Sequence, residues 1–401
     1  MSFLFGDFAL DVGRRELRRG QALVSVEPQV FDLLVYLLNN RDRVVTKDDL
    51  LEAVWGGRIV SESTLTSRIN AARKAVGDSG DHQTVIRTIP RKGIRFVAEV
   101  CEDTKPTPIG EAAFRASSSS AQNLHQQVHF CTAADGVRIA YAEVGQGPPL
   151  VKAANWLNHL EYDWESPVWS PFLHRLAADR RLIRYDARGN GLSDWDVEDF
   201  SLEAFVRDLE SVVEAAGLDR FSLLGMSQGC PVSIVYAVRH PERVSSLILA
   251  GGFARGRRKR GSPEEIAKSD AVVTLIRQGW GQDNPAFRQM FTSLFMPGAT
   301  PEQMNSFNDM QRITTSPDNA ARLRQSVDDI DVTDLLAQVR APTLVIHCRS
   351  DGMIPFDEGR RIAMGIPGAR FVALESPNHI FLQSDPIWNR FFDEMNDFLG
   401  R

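Results

Sequence analysis

The chain has 401 residues, of which 43% are hydrophobic and 24% charged, and this balance excludes an intrinsically disordered protein. A chain of this length is predicted to form two or three domains. The formal net charge of −6 excludes a chain that is basic throughout. Residues 1–100, with 15 Lys and Arg against 13 Asp and Glu, form its more basic part.

The first hundred residues predict a small α+β domain. A helix is expected from Pro28, because apolar residues recur there at helical spacing. Thr46 is a typical N-cap before a second helix, Lys47–Trp55, and a third helix ends near Val76–Gly77. Strands are predicted before the first helix and after the third, at Phe3–Asp11, Glu16–Arg19, Ala22–Val26, Val85–Ile89 and Ile94–Val100.

The third helix has two chemically different faces. Its apolar residues fall on one side, at Leu65, Ile69, Ala72 and Val76. Hydroxyl and basic groups, which suit phosphates and base edges, lie elsewhere on this helix and in the turn between the last two strands. These candidate DNA contacts are Thr64, Ser67, Arg68, Arg73, Lys74, Arg91 and Lys92. Periodicity by itself is equally typical of an ordinary solvated amphipathic helix.

The order of these elements resembles the winged-helix domain of OmpR/PhoB-type transcription factors. Three segments carry the resemblance: VEPQVFDLLVYLLNNRDRVVTKDDLLEAVW, VSESTLTSRINAARKAVGD and IRTIPRKGIRFVAEV. It implies double-stranded DNA as a partner and a homodimer on paired sites. Ile94 stands where the family usually has Tyr, which changes the packing of the wing hairpin. No receiver domain or membrane span accompanies this module, so we expect the input signal to come from the second domain.

Residues 101–127 predict a flexible linker, since most of this stretch is rich in Pro, Ser, Ala and Gln. Residues 128–401 then alternate apolar strands with helices, which is typical of a mostly parallel sheet with helices on both faces. The segment from about 255 to 339 breaks this alternation and predicts a helical cap. The expected strands are Val137–Val144, Leu150–Ala154, Leu182–Asp186, Phe221–Met226, Ser245–Ala250, Thr343–Cys348 and Phe371–Glu375.

A nucleophile motif follows one of these strands. Gly225-Met226-Ser227-Gln228-Gly229 fits Gly-x-Ser-x-Gly, which holds a serine on a sharp strand-to-helix turn. The N–H of Gln228 would then point at an oxyanion. Asp351 and His379 follow later strands, in the order Ser, acid, base that a catalytic triad needs. Taken singly, the aspartate is typical of a turn and the histidine of a structural role.

Residues 128–401 resemble the α/β-hydrolase superfamily throughout. RYDARGNGLS at 184–193, HPERV at 240–244 and the closing Asp385-Pro386 segment carry this resemblance together with the serine motif. It implies a serine hydrolase with Ser227, Asp351 and His379 as the triad. Many members have His-Gly where this chain has Asn155-Trp156. The backbone N–H of Trp156 could complete the oxyanion hole, or its side chain could fill the pocket.

Aromatic and Met residues of the cap suggest an apolar ligand pocket, although most are expected to form the core of the cap. The predicted pocket residues are Asn155, Trp156, Met226, Trp280, Phe291 and Phe295. Arg255–Arg260 is interpreted as a solvated loop in preference to a nucleic-acid contact.

Two functions remain open at this point. The first is a DNA-binding transcriptional regulator whose hydrolase-fold domain senses a small apolar ligand, with or without hydrolysing it. The second is an active esterase- or lactonase-type hydrolase with an attached DNA-binding module. A scaffold with an inactive hydrolase fold is disfavoured, because the triad is intact. The four cysteines are scattered without metal-ligand spacing, and no signal peptide or membrane span is apparent. We therefore expect a cytoplasmic protein with no metal, cofactor or membrane partner.

Overall fold

The computed structural model describes residues 2–12, 16–20, 22–24, 26, 28–55, 62–78, 83–89, 92–98, 100–103, 124–282 and 284–400. The chain divides into two compact units, Met1–Ser117 and Ser118–Arg401. Within the described ranges no helix is both long enough and apolar enough to cross a membrane.

The first unit opens with a four-stranded antiparallel meander. Its strands are Ser2–Phe5 (β1), Phe8–Asp11 (β2), Glu16–Arg19 (β3) and Ala22–Val24 (β4). The expected single strand Phe3–Asp11 is wrong, because it is a hairpin in which Phe5 pairs with Phe8. Gly6 sits in the connecting turn at φ +54°, a conformation that glycine adopts without a steric penalty.

Three helices follow: Pro28–Asn39 (α1), Lys47–Trp55 (α2) and Glu62–Ala75 (α3). The predicted N-cap at Thr46 is confirmed, since its hydroxyl accepts from the Asp49 N–H at 3.1 Å and Asp49 accepts from the Thr46 N–H at 3.0 Å. One apolar face of α1 supplies much of the core, through Val30, Phe31, Leu33, Leu34, Leu37 and Leu38.

A β-hairpin of Ile86–Ile89 (β5) and Gly93–Phe96 (β6) forms the wing. It is fixed to the chain before α2 by two backbone hydrogen bonds between Ile94 and Val45, of 2.8 and 2.9 Å. Gly93 has φ +142°, and a Cβ there would lie 2.0 Å from the Val45 carbonyl oxygen. Only glycine therefore allows this close approach.

The predicted linker, 101–127, has the wrong limits. Cys101–Asp103 is a strand (β7) that pairs antiparallel with β1 and completes a five-stranded sheet of order β4-β3-β2-β1-β7. At the other end, Gln127–Thr132 (β8) pairs with the next strand of the second unit. Both strands owe their position to pairing with distant partners, which the local composition does not encode.

The second unit is built on an eight-stranded sheet of order β15-β14-β13-β12-β10-β11-β9-β8. The strands β10 to β15 run parallel to one another. The strand β9 pairs antiparallel with both β11 and β8. The predicted strands are confirmed to within two residues. They are Arg138–Val144 (β9), Pro149–Lys152 (β10), Arg181–Tyr185 (β11), Phe221–Met226 (β12), Val244–Ala250 (β13), Thr343–Cys348 (β14) and Arg370–Leu374 (β15).

Helices cover both faces of this sheet. Before the cap come Leu160–Glu165 (α4), Ser170–Ala177 (α5), Leu202–Ala215 (α6) and Gly229–Arg239 (α7). The cap comprises Arg257–Arg260 (α8), Pro263–Gly279 (α9), Ala286–Phe295 (α10), Pro301–Thr314 (α11) and Pro317–Asp329 (α12). After the cap come Phe356–Gly365 (α13) and Trp388–Phe398 (α14).

Candidate functional site

Ser227 lies in the turn between β12 and α7, with a left-handed backbone at φ +51°. A non-glycine residue in this region is strained, and the surrounding backbone must hold it there. The Ser227 N–H donates to the Ala250 carbonyl at 3.0 Å. A Cβ on Gly225 would lie 2.7 Å from the Gly229 carbonyl oxygen. The glycine of the motif thus lets α7 start directly against the strand and hold the serine in place.

Asp351 and His379 form a buried pair beside this turn. His379 Nδ1 lies 2.7 Å from Asp351 Oδ2, and both side chains are almost fully buried. The other oxygen of Asp351 accepts from the N–H groups of Met353 and Ile354, at 2.8 and 3.0 Å. Burial opposes ionisation of Asp351, but His379 and these hydrogen bonds outweigh it and hold the pKa of the carboxyl below its ordinary value. An ionised Asp351 orients His379.

The structure brings Ser227 and His379 together in the wall of one cavity of about 10 Å³, which is room for about one water molecule. Four of the predicted pocket residues, Asn155, Trp156, Met226 and Phe295, line the same cavity. Phe295 also ties the cap to the histidine loop, because its carbonyl accepts from the His379 N–H at 2.8 Å. The cap therefore closes directly over the serine.

The prediction that Trp280 and Phe291 line the pocket is wrong for this cavity. The Trp280 side chain is fully buried, and its ring centroid lies 5.9 Å from that of Trp156 and 5.8 Å from that of Phe291. Both residues form cap core behind Trp156. Large apolar residues on helices serve a core and a pocket equally well, so the sequence does not distinguish the two uses.

The two predicted oxyanion donors, Gln228 and Trp156, line one cavity together with Ser227. Gln228 precedes the first residue of α7, where N–H groups at a helix start are free to bind an anion. Trp156 is buried, and its ring packs edge-on against Trp280. Leu157, the next residue, has φ +20°. The Trp156 side chain thus fills space beside the serine, which was one of the two alternatives drawn from the sequence.

Lys152 is a site residue that the sequence analysis missed. It is buried at the end of β10, and its ammonium group donates to the side-chain oxygen of Asn155, which lines the cavity. Burial lowers the pKa of Lys152 to about 8. The signal in the sequence was a single charged residue within the apolar stretch Leu150–Ala154. Lys152 therefore fixes the loop that precedes Trp156.

In the first unit, the candidate DNA contacts fall into different environments. Lys74 and Lys92 are exposed, and Arg68 is half-buried. Arg91 and the side chains of Thr64 and Ser67 lie outside the described residues. Arg73 was also predicted to contact DNA, but this residue is buried. Its guanidinium donates to the Ile86 carbonyl at 3.0 Å and the Thr88 hydroxyl at 2.7 Å. Arg73 thus holds the wing against α3.

Replacing Arg73 by Met should therefore lower stability and not remove a DNA contact. The Ile86 carbonyl and Thr88 hydroxyl would lose their charged donor, at a cost of about 1–3 kcal/mol in the free energy of unfolding of this unit. Calorimetric unfolding of the full chain measures the change. Lys74→Met is the matched control, since the neighbouring side chain is exposed. Weaker DNA binding by Arg73→Met without any change in unfolding would contradict this role.

Comparisons with known proteins agree with both units. Residues 158–386 match the family model described as alpha/beta hydrolase fold, and residues 20–96 match that of the C-terminal domain of transcriptional regulatory proteins. The first match covers more than half of the chain, so the protein belongs to the α/β-hydrolase fold family. It also carries a winged-helix DNA-binding domain of the OmpR/PhoB type.

Relatives of known sequence match the second unit. The putative carbamate hydrolase RutD of Rhizobium rhizogenes is 26% identical over 217 residues, which is 53% of this chain and 80% of the relative. The non-heme chloroperoxidase CPO-A1 of Kitasatospora aureofaciens is 29% identical over 286 residues, covering 68% of this chain and 99% of the relative. A crystal structure of a hydrolase from Pseudomonas aeruginosa PA01 superimposes with a TM-score of 0.57 at 26% identity. It covers 70% of this chain and 100% of that chain.

Proposed function

We propose that this protein is a DNA-binding transcriptional regulator whose hydrolase-fold domain binds a small ester-type ligand at Ser227. One observation supports this most strongly: His379, which is bonded to Asp351 at 2.7 Å, lines a capped cavity with Ser227 on a chain that also carries an OmpR/PhoB-type domain. Regulation requires that the ligand bind two states of the protein with different affinity. The triad, the oxyanion donors and the four lining residues are the proposed ligand site.

The test measures affinity for DNA with and without ligand. A DNA site is first selected from fragments of genomic DNA, and 4-nitrophenyl butyrate serves as the probe ester. The Ser227→Ala variant is used so that the probe is not consumed. An allosteric effector is expected to change DNA affinity about 5- to 150-fold. If the probe binds by calorimetry and DNA affinity stays unchanged, sensing of this ligand class is rejected.

A second candidate is an active hydrolase with an attached DNA-binding module. The left-handed backbone of Ser227 and the His379–Asp351 hydrogen bond favour it, because both are features of working serine hydrolases. The two candidates differ in one readout. A sensor responds to an ester that it does not cleave, whereas an enzyme turns the ester over regardless of DNA.

In the first unit, Arg68→Ala is expected to weaken DNA binding at least severalfold, since one base or phosphate contact contributes about 1–3 kcal/mol. A gel-shift titration at fixed salt measures the effect, because affinity for DNA depends strongly on ionic strength. Arg19→Ala is the matched control, as Arg19 is exposed on β3 and paired with Asp7 at 2.6 Å. Equal affinity of Arg68→Ala and wild type would remove Arg68 from the DNA-binding surface.

A homodimer stays a prediction, and a monomer in light scattering at micromolar concentration would contradict it.

A further inference from the structure

A second cavity adjoins Ser227, and its wall is rich in positive charge. It measures about 20 Å³ and shares Trp156, Ser227 and Phe295 with the first cavity. Its charged lining residues are Arg257, Arg260, Arg324 and Asp328. Three guanidinium groups and one carboxylate thus face a space next to the serine, an excess of two positive charges.

The prediction of a solvated loop at Arg255–Arg260 is wrong for residues 257–260. Residues 257–260 form the short helix α8, which packs against α9 and α12 within the cap. Two arginines of the run are neutralised by partners. Arg255 pairs with Glu358 at 3.0 Å, and Arg258 pairs with Asp270 at 2.5 Å and Asp329 at 3.2 Å.

The two arginines that line the cavity differ from these in forming no ion pair among the described residues. Arg257 Nε and Arg260 Nη1, like Arg255 Nε, are also buried without a hydrogen-bond partner there. A buried polar group in this state is costly unless something satisfies it. Asp328, the one carboxylate in the wall, is already occupied, because Arg324 donates to both of its oxygens at 3.1 and 2.7 Å and Ser269 donates to one of them.

Burial is the main electrostatic effect on the arginines of this cavity. It lowers the pKa of Arg260, while the attraction of Glu358 and Asp328 opposes the repulsion from Arg257 and Arg324. Burial likewise lowers the pKa of Arg324, with Arg257 as a further repulsive neighbour. An anion in the cavity would relieve both the unsatisfied donors and the repulsion.

We propose that the ligand of the hydrolase domain carries a carboxylate that binds Arg257 and Arg260 while its ester carbonyl lies at Ser227. This proposal deepens the proposed function and rests on it. A planar guanidinium matches a carboxylate with paired hydrogen bonds, so arginine selects this group over a neutral chain. Because cavities of 10 and 20 Å³ hold little more than water, α8 or Trp156 must shift to admit the ligand.

The test compares two esters of similar length. Mono-4-nitrophenyl glutarate carries a free carboxylate on the acyl chain, and 4-nitrophenyl hexanoate does not. The measured quantity is the ratio of kcat/KM for the anionic ester to that for the neutral ester. Wild-type protein is expected to favour the anionic ester. Arg257→Gln and Arg260→Gln are each expected to lower the ratio roughly tenfold or more, the effect of one lost charged hydrogen bond.

Arg258→Gln is the matched control, because it removes the same charge from the same helix without touching the cavity. Its ratio should equal that of wild type. Equal ratios in all variants would overturn the carboxylate subsite and leave serine-dependent hydrolysis intact. If Arg257→Gln does not fold, Arg257→Lys keeps the charge and loses the paired geometry, so an unchanged ratio there also overturns it.

If the wild-type protein cleaves neither ester, it does not hydrolyse this class of substrate. The carboxylate subsite is then tested by a binding measurement instead. Glutarate is then titrated calorimetrically into the Ser227→Ala protein. Binding that is lost on adding Arg257→Gln but kept on adding Arg258→Gln supports the subsite. Absence of glutarate binding overturns it.

Discussion

Ser227→Ala is expected to lower the turnover of short aryl esters at least about a thousandfold, because loss of a nucleophilic serine removes the covalent step. The structure gives the reason in two features. The serine is held at φ +51° at the start of α7, and it shares a cavity of about 10 Å³ with His379. Release of 4-nitrophenol by purified protein measures the effect.

Ser222→Ala on β12, the strand that leads to Ser227, is the matched control, since the Ser222 hydroxyl bonds only to Ser245 among the described residues, at 3.3 Å. This control should hydrolyse the esters at the wild-type rate. Turnover by Ser227→Ala within tenfold of wild type would mean that another group attacks the ester. The proposed site would then be wrong even though the fold is established.

Much of the second unit could be predicted from the sequence, for a physical reason. The strands Phe221–Met226 and Thr343–Cys348 have the bounds that were expected. Both are short apolar runs buried on two faces, so hydrophobicity changes abruptly at each end. The catalytic candidates follow the ends of such strands, and a parallel sheet brings those ends to one edge. Ser227 and His379 could therefore be placed in one site without knowledge of any contact.

Other features depend on contacts that sequence periodicity does not contain. Arg73 has the helix position of a surface residue, yet its guanidinium donates a hydrogen bond to the carbonyl of Ile86, thirteen residues later. Trp280 of the cap packs against Trp156 in the loop after β10, and this contact places Trp280 in the core and not in the pocket. Among the described residues Arg257 Nε has no hydrogen-bond partner, and Asp328 in the same cavity wall pairs with Arg324. In each case several chemically similar partners are present in the sequence, and only the folded structure shows which of them the side chain contacts.

Asp351→Asn is expected to lower kcat about ten-thousandfold while KM changes little, because the amide selects the wrong histidine tautomer. One oxygen of Asp351 accepts from two backbone N–H groups, of Met353 and Ile354, so the amide oxygen of Asn must keep that place. Its NH₂ group then faces His379 Nδ1, which has to accept a hydrogen bond. The ring proton moves to Nε2, and the histidine no longer takes the proton of Ser227.

The matched control is Glu375→Gln, an acid-to-amide change at an exposed carboxylate that bonds to Arg349 at 2.7 Å after the adjacent strand. It should leave kcat unchanged. The melting temperatures of both variants show whether a lower kcat comes from a misoriented His379 or from an unfolded protein. A properly folded Asp351→Asn protein with kcat within tenfold of wild type would show that Asp351 does not set the tautomer of His379. The buried 2.7 Å pair would then serve stability, and proton transfer at Ser227 would not depend on Asp351.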